Sequence, residues 1–454
     1  MKTSLTSDLA KFIRTVSYPT LPSRVVAHLK TCIIDTIGCG LFGSTMPWAS
    51  ILIDCFNEAQ PGQAASIWGT DHRFSLTDAA LINGTLVHSF ELDDLHARGI
   101  IHPGSVTLPT AMALAENRGG ISGKKLIEAL AAGYEVGARV GMFAGTSHLL
   151  KGFHPTGTCG TFASAATAGK LLNLSETELI HALGIAGAQS AGLMAAQYAS
   201  QVKRMHAGRA AQSGLYAAKL AGKGFTGAVD ILEAAYGGFG STMSDQADYE
   251  AASAGLGNNF ELMNVGFKPY ACCGSNHTTI DALKQIIAEN DLAAEEIEKI
   301  EIKTTQATKL HVGWAYVPDT VTTAQMNLYY CAAAFILDGD VFVDQFTEDR
   351  IRDPRILEFI RKIGIEADTA LDAQGPHKRH SVRVKILTRR GATFKRQVDY
   401  PKGNPRNPMT QTDIEAKFGK LAGNVLPEEK ADQILAKISD LDKLSDSACL
   451  LNSR

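Results

Sequence analysis

The sequence predicts a mainly α protein, a large all-helical domain with a smaller α+β domain, on three observations. Apolar residues recur at three- and four-residue spacing from Leu9 to about Gly240, as at Val25, Val26, Leu29, Cys32 and Ile33, which marks one face of a helix. After about Val265 the pattern becomes an alternation of apolar and polar residues, the period of a half-exposed strand. From Met409 to Leu451 the helical spacing returns. A discontinuous helical domain over residues 1–265 and 406–454, with an α+β domain over 266–405 between its parts, accounts for all three.

The elements follow in order. The first half is rich in Ala and Gly, as in residues 161–169 and 185–192, and small side chains let helix axes approach closely. Ser175 with Glu178 three residues on reads as a capping box that starts a helix. Residues 297–304 and 382–387 largely alternate and predict strands, and Arg389-Arg390-Gly391-Ala392 reads as a turn into another strand. Helices are expected between them at 278–289 and 325–337. The tail opens on an acidic start at Asp413 and Glu415 and continues helical.

Composition narrows the class. The 454 residues carry 44 Lys and Arg against 47 Asp and Glu, a net charge of −3, with 45% apolar residues. That balance excludes a collagen-like, disordered or nucleic-acid-coating protein. Eight scattered cysteines form neither a disulfide framework nor a metal ribbon, so a reducing, cytoplasmic compartment is expected. Asp8 and Lys11 interrupt the N-terminal segment before a signal-peptide core forms, and with no run of about 18 apolar residues, membrane insertion is not expected.

The match Gly38-x-Gly40-x-x-Gly43 has the form of a dinucleotide fingerprint, but helical spacing precedes it and no acidic residue follows at about 20 residues, so helix packing explains it better. Gly123-Lys124-Lys125 lacks the other residues of a phosphate-binding loop. Four polar clusters remain. Residues 88–105 hold Glu91, Asp93, Asp94, His96 and His102, which are costly to bury without partners and fit either a solvated loop or a polar site. A metal site there would need further ligands, and no H-E-x-x-H or distal Cys/His pair supplies them. His154 stands at a helix start, suited to a substrate carboxylate or to a structural cap. Lys203, Arg204, His206 and Arg209 make either a solvated face or a cationic pocket. Lys268 and His277 bracket the Gly-Ser-Asn turn after Tyr270, and the vicinal Cys272 and Cys273 are expected in the core, because adjacent thiols are too strained for an ordinary disulfide.

Together the segments ELDDLH with HPGS, GFHPTG, KRMHAGRAA, YGGFGS and KPYACCGSNHTTIDA resemble the MmgE/PrpD family of metal-independent lyases and isomerases over nearly the whole chain. The resemblance implies an all-α large domain, an α+β lid, a homodimer and no cofactor. The family includes 2-methylcitrate dehydratase, cis-aconitate decarboxylase and iminodisuccinate epimerase. Carried over residue by residue, the decarboxylase-like pattern falls on Glu91, His102, His154, Lys203 and Lys268. Leu95 stands where that pattern has a hydroxylic residue, one extra residue precedes His102, and the pattern's tyrosine falls near Val312, with Trp314 and Tyr316 the nearest aromatics.

These activities all work on a carbon beside a carboxylate and leave negative charge there. Lys203 and Lys268 suit the stabilisation of that charge, and His102 and His154 suit proton transfer near neutral pH. Glu91 or Asp93 would orient an imidazole, and Asp94, His96, His206, Arg209, Tyr270 and His277 are expected to contact the substrate. The expected function is a cofactor-independent, metal-free lyase on a small di- or tricarboxylate. The alternatives are an epimerase of an iminodisuccinate-like acid, a non-catalytic dimeric carboxylate-binding protein and a metal hydrolase.

Overall fold

Close helix packing, permitted by small residues, builds the larger part of the molecule. The computed structural model describes residues 4–57, 64–198, 200–375 and 378–451. Helices Leu76–Val87, Gly104–Arg118, Gly123–Leu150, Gly160–Leu171 and Val202–Ala221 pack on one another around a core of Ala, Leu and Ile. Where Leu76–Val87 crosses Val202–Ala221, a Cβ on Gly208 would sit 2.0 Å from the Leu81 carbonyl oxygen, so any larger residue forces the helices apart. The capping box expected at Ser175 forms: Ser175 Oγ accepts from the Glu178 N–H at 3.3 Å, and Glu178 accepts from the Ser175 N–H at 2.7 Å.

Gly38, Gly40 and Gly43 lie in the helix Ser23–Gly43, where a Cβ on Gly43 would come within 1.9 Å of the Leu86 carbonyl oxygen. They serve packing. Contrary to the expectation of no such run, this helix has the length and apolar composition of a membrane span, but most of it is buried in the protein and it carries Asp35, paired with Lys417 at 2.6 Å. Lys417 belongs to Gln411–Ala422, a tail helix that packs along Ser23–Gly43. Thr410 caps it in a box with Asp413.

The smaller α+β part has a four-stranded sheet in the order Ile363–Ala367, Ile297–Thr304, Val382–Thr388, Thr393–Val398. The first pair is parallel and the other two antiparallel. Alternation is clean in Val382–Thr388, whose residues are buried and half-buried in turn, and the helix Gly274–Asn290 covers this face. The chain is thus mainly α with a smaller α+β part.

Three local differences from expectation have physical reasons. Strand Ile363–Ala367 is an edge strand of five residues, too short to declare a period in sequence. The helix expected from residue 278 begins at Gly274, because in its opening, turn-like by residue type, Ser275 and Asn276 are buried and Asn276 donates to the Gln325 carbonyl at 3.1 Å. The helix expected over 325–337 is divided into Val321–Gln325 and Leu328–Asp338, with Asn327 capping the second by accepting from the Tyr330 N–H at 3.0 Å.

Candidate active site

Helix Leu76–Val87 runs into a short 3-10 turn and ends on Glu91 in a left-handed conformation, φ 56° and ψ 32°. A non-glycine residue held there stores backbone strain, which persists only where surrounding contacts fix it. Here the contacts are ionic. Glu91 Oε1 accepts from Lys203 Nζ and, at 2.5 Å, from Arg204 Nη1, while Oε2 accepts from Lys268 Nζ at 3.2 Å. All four side chains are buried. Burial alone would raise the Glu91 carboxyl, but the three cations hold it well below the usual range. Lys203 is lowered by its burial against the pull of Glu91, whereas Lys268, also buried, is raised by Glu91 and Asp93.

A second group lies beside the first. Asp93 Oδ2 meets His88 Nδ1 at 2.7 Å and Oδ1 faces His102 Nδ1 at 3.4 Å. Asp93 is fully buried, yet His102 and His88 hold its carboxyl well below the ordinary value. Burial pushes His88 down to about 4. Its ring centre lies 4.9 Å from that of His102 and 5.5 Å from that of His154. Burial and Lys203 keep His154 well below its usual pKa, and its Nδ1 is 3.0 Å from Nδ1 of His206, so one of these rings donates and the other accepts. Among the described residues, His88, Asp93 and His102 are the group whose donor atoms, all within 4.8 Å of one another, could hold a metal ion.

Glu91, His102, His154, Lys203 and Lys268 line one cavity of about 260 Å³. That volume suits a small acid, ligand pockets generally running from roughly 300 to 1,000 Å³. Asp93 stands behind His102 and does not reach the cavity wall. The 88–105 segment is therefore a buried polar site and not a solvated loop, and the first two residues of the 203–209 cluster point inward.

The structure does not bring the residues expected to contact substrate to this wall. Asp94 is fully buried, accepting from the Gly104 N–H at 3.0 Å and Tyr134 OH at 2.7 Å. His96 pairs with Glu261 at 3.1 Å and accepts from the Gly99 N–H at 2.9 Å. His206 stands one ring further out, against His154. Arg209 is exposed and donates to Gln212. Tyr270 donates to Asp281 at 2.6 Å, and His277 Nε2 lies 3.1 Å from the Cys272 carbonyl oxygen.

Arg204, in the cluster that the sequence offered as a cationic pocket, is at the site, and further residues reach it that carry no motif. Arg204 joins Glu91 to Gln325 at 2.8 Å, and Gln325 donates to the carbonyls of Phe90 and Ala271, tying the N-terminal helices to the C-terminal part. Ser275, His311, Arg379 and His380 complete the far wall. Cys272 is a core residue as expected, but Cys273 lines the cavity, and although burial raises its thiol, His311 brings it down to about 7. Leu95 is also on the wall, apolar where the decarboxylase-like pattern has a hydroxyl. Neither Trp314 nor Tyr316 is there; Tyr316 donates to the Ile351 carbonyl, and the aromatic at the cavity is Tyr198, edge-on to Trp314. The signal for Tyr198 was absent because it sits in a short 3-10 connection with no motif around it.

Comparison with known proteins finds relatives along nearly the whole chain. Models of the MmgE/PrpD N-terminal domain and C-terminal domain match residues 7–252 and 270–443. A cis-aconitate decarboxylase-like protein of Aspergillus oryzae is 31% identical, covering 99% of this chain and 96% of its own. A cis-aconitate decarboxylase of Homo sapiens is 30% identical over 99% of this chain and 94% of its own. A mitochondrial 2-methylcitrate dehydratase of Yarrowia lipolytica is 22% identical over 94% and 86%. The chain is an enzyme of the lyase class, and it belongs to the MmgE/PrpD family.

Proposed function

We propose that the protein is a cofactor-independent lyase that releases CO2 from an unsaturated tricarboxylate of the cis-aconitate type. The observation that carries this reading is the convergence of Lys203, Lys268, His102 and His154, from four separate segments, on one buried cavity. The decarboxylase names of relatives aligned almost end to end favour CO2 loss over dehydration.

Loss of CO2 leaves the electron pair of the broken C–C bond on an allylic carbon. The adjacent C=C and its carboxylate spread that charge, and the pair ends as a new C–H bond at the far carbon of the former double bond. One proton is consumed, and the products are CO2 and an unsaturated dicarboxylate with its double bond shifted. Fixed cations in a water-poor cavity stabilise such charge more than water does, because they need no reorganisation as it develops. Glu91 holds Lys203 and Lys268 at the wall, and its three cations exceed its own charge by two. His102 is our proton donor: Asp93 faces its Nδ1 and balances the imidazolium, leaving Nε2 for the substrate carbon. Neutral His154 hydrogen-bonds a substrate carboxylate. We further propose that the enzyme works as a metal-free homodimer in the cytoplasm, for which sedimentation and activity in a chelator are the checks.

The test is turnover of cis-aconitate in deuterated water, followed by NMR. One CO2 per substrate and one deuterium on the new CH2 are expected. Retention of every carbon with gain or loss of water would make the enzyme a dehydratase, and exchange of an α-proton without either change would make it an epimerase.

A further inference from the structure

The cations of the cavity are not equivalent. Lys203 and Lys268 both donate to Glu91, and Arg204 behind them does the same. Arg379, on the wall supplied by the C-terminal part, has no carboxylate within ion-pair distance among the described residues. Its backbone is fixed: the carbonyl accepts from Thr305 Oγ1 at 2.5 Å and Thr308 Oγ1 at 2.9 Å. Its Nε donates to His380 Nε2 at 2.9 Å. That bond assigns the His380 tautomer, because a ring nitrogen that accepts is unprotonated and the proton must sit on Nδ1. Nδ1 is buried and has no partner among the described residues. An N–H with no acceptor is a costly thing to bury, and a ligand oxygen would relieve it.

The helix Gly274–Asn290 begins at the same wall, with Gly274 and Ser275 lining the cavity. Its 17 residues make it long enough for the first-turn N–H groups and the dipole to favour an anion. A guanidinium without a carboxylate, an imidazole N–H without an acceptor and a helix N-terminus therefore meet on the side of the cavity where Glu91 does not neutralise the cations.

We propose that Arg379, with His380 and the start of the Gly274–Asn290 helix, is the seat for one further carboxylate of the substrate and sets the preference for a tricarboxylate over a dicarboxylate. This rests on the reading that the cavity takes a polycarboxylate. The inner lysines then act where charge develops, and Arg379 holds a carboxylate that keeps its charge throughout. Binding that is equal in ground and transition states appears in KM and not in kcat.

The test is calorimetric titration of the full chain with propane-1,2,3-tricarboxylate, which offers no reactive double bond, and with glutarate, which lacks the central carboxylate. Wild type, Arg379→Gln and Arg379→Lys are compared, with turnover of cis-aconitate measured beside them. Arg379→Gln is expected to weaken the tricarboxylate roughly 10- to 100-fold, the worth of one charge-assisted hydrogen-bonded contact. Glutarate should change by less than about threefold, KM should rise with kcat nearly unchanged, and Arg379→Lys should recover part of the loss. Equal weakening of both acids, or none, overturns the seat while leaving the lyase reading standing. A wild-type chain that binds neither acid and releases no CO2 overturns the reading and the seat together. Should Arg379→Gln fail to fold, Arg379→Lys decides alone: unchanged tricarboxylate affinity overturns the seat, and a loss of tricarboxylate affinity that leaves glutarate unchanged supports it.

Discussion

Asp93 and Asp94 are adjacent in sequence and equally buried, yet they turn to opposite sides of the chain. Asp93 lies between two imidazoles that hold its carboxyl far below the ordinary range, beside the cavity. Asp94 turns into the helical core, where burial and Asp35 push its carboxyl well above that range while Tyr134 and the Gly104 N–H satisfy its oxygens. The pair teaches that a carboxylate in a dense polar segment is assigned by what it meets, not by its residue type. One is supplied with groups that can carry positive charge; the other is closed off with neutral donors.

The contrast can be broken at several points. Among the cations the largest effect is expected on the cavity side, where Lys203→Met and Lys268→Met should each lower kcat/KM by about 10²- to 10³-fold, as loss of a fixed charge-stabilising group does. Steady-state CO2 release checks it. Glu91→Ala leaves three buried cations facing one another, and breaking such a cluster costs about 3–5 kcal/mol of stability, readable by denaturant unfolding. On the core side, Asp94→Ala strands Tyr134 OH and the Gly104 N–H at a cost of about 1–3 kcal/mol for each group left unsatisfied. Turnover per folded molecule should survive that change.

The smallest effect is a slope with pH. His88 has its folded pKa depressed to about 4, against 6.5 unfolded, so between these values the unfolded chain binds the extra proton. Its contribution to stability is complete above pH 6.5 and is lost as pH falls toward 4, at about 1.4 kcal/mol per pH unit. Thermal unfolding of wild type should show this decline, and a His88→Phe variant that folds should show a shallower one. An unchanged slope would mean that the imidazole is not held neutral.

Much of this is legible in the sequence. Helical spacing through Val25–Ile33, the Ser175 box and the alternation in Val382–Thr388 are local signals, and the fold keeps them. The clustering of Glu91, His102, His154, Lys203 and Lys268 followed from a resemblance across segments, because no local pattern reveals that distant residues share a cavity. The direction of a side chain was not legible. His96 and Tyr270 carry the chemistry of site residues but spend it on Glu261 and Asp281, and those partners come from distant parts of the fold. Arg379 gave no signal because its surroundings in sequence hold no motif, and only the packing of the C-terminal part over the helices makes it a wall residue.

The most direct measurement compares Asp93→Asn with Asp94→Asn, each isostere scored for 13CO2 release from carboxyl-labelled cis-aconitate at a matched concentration of folded protein. The account predicts that Asp93→Asn loses about 10²- to 10⁴-fold in kcat, the range of a disabled acid–base pair, while Asp94→Asn stays within about threefold of wild type. Equal losses in the two variants, or the larger loss in Asp94→Asn, would contradict it.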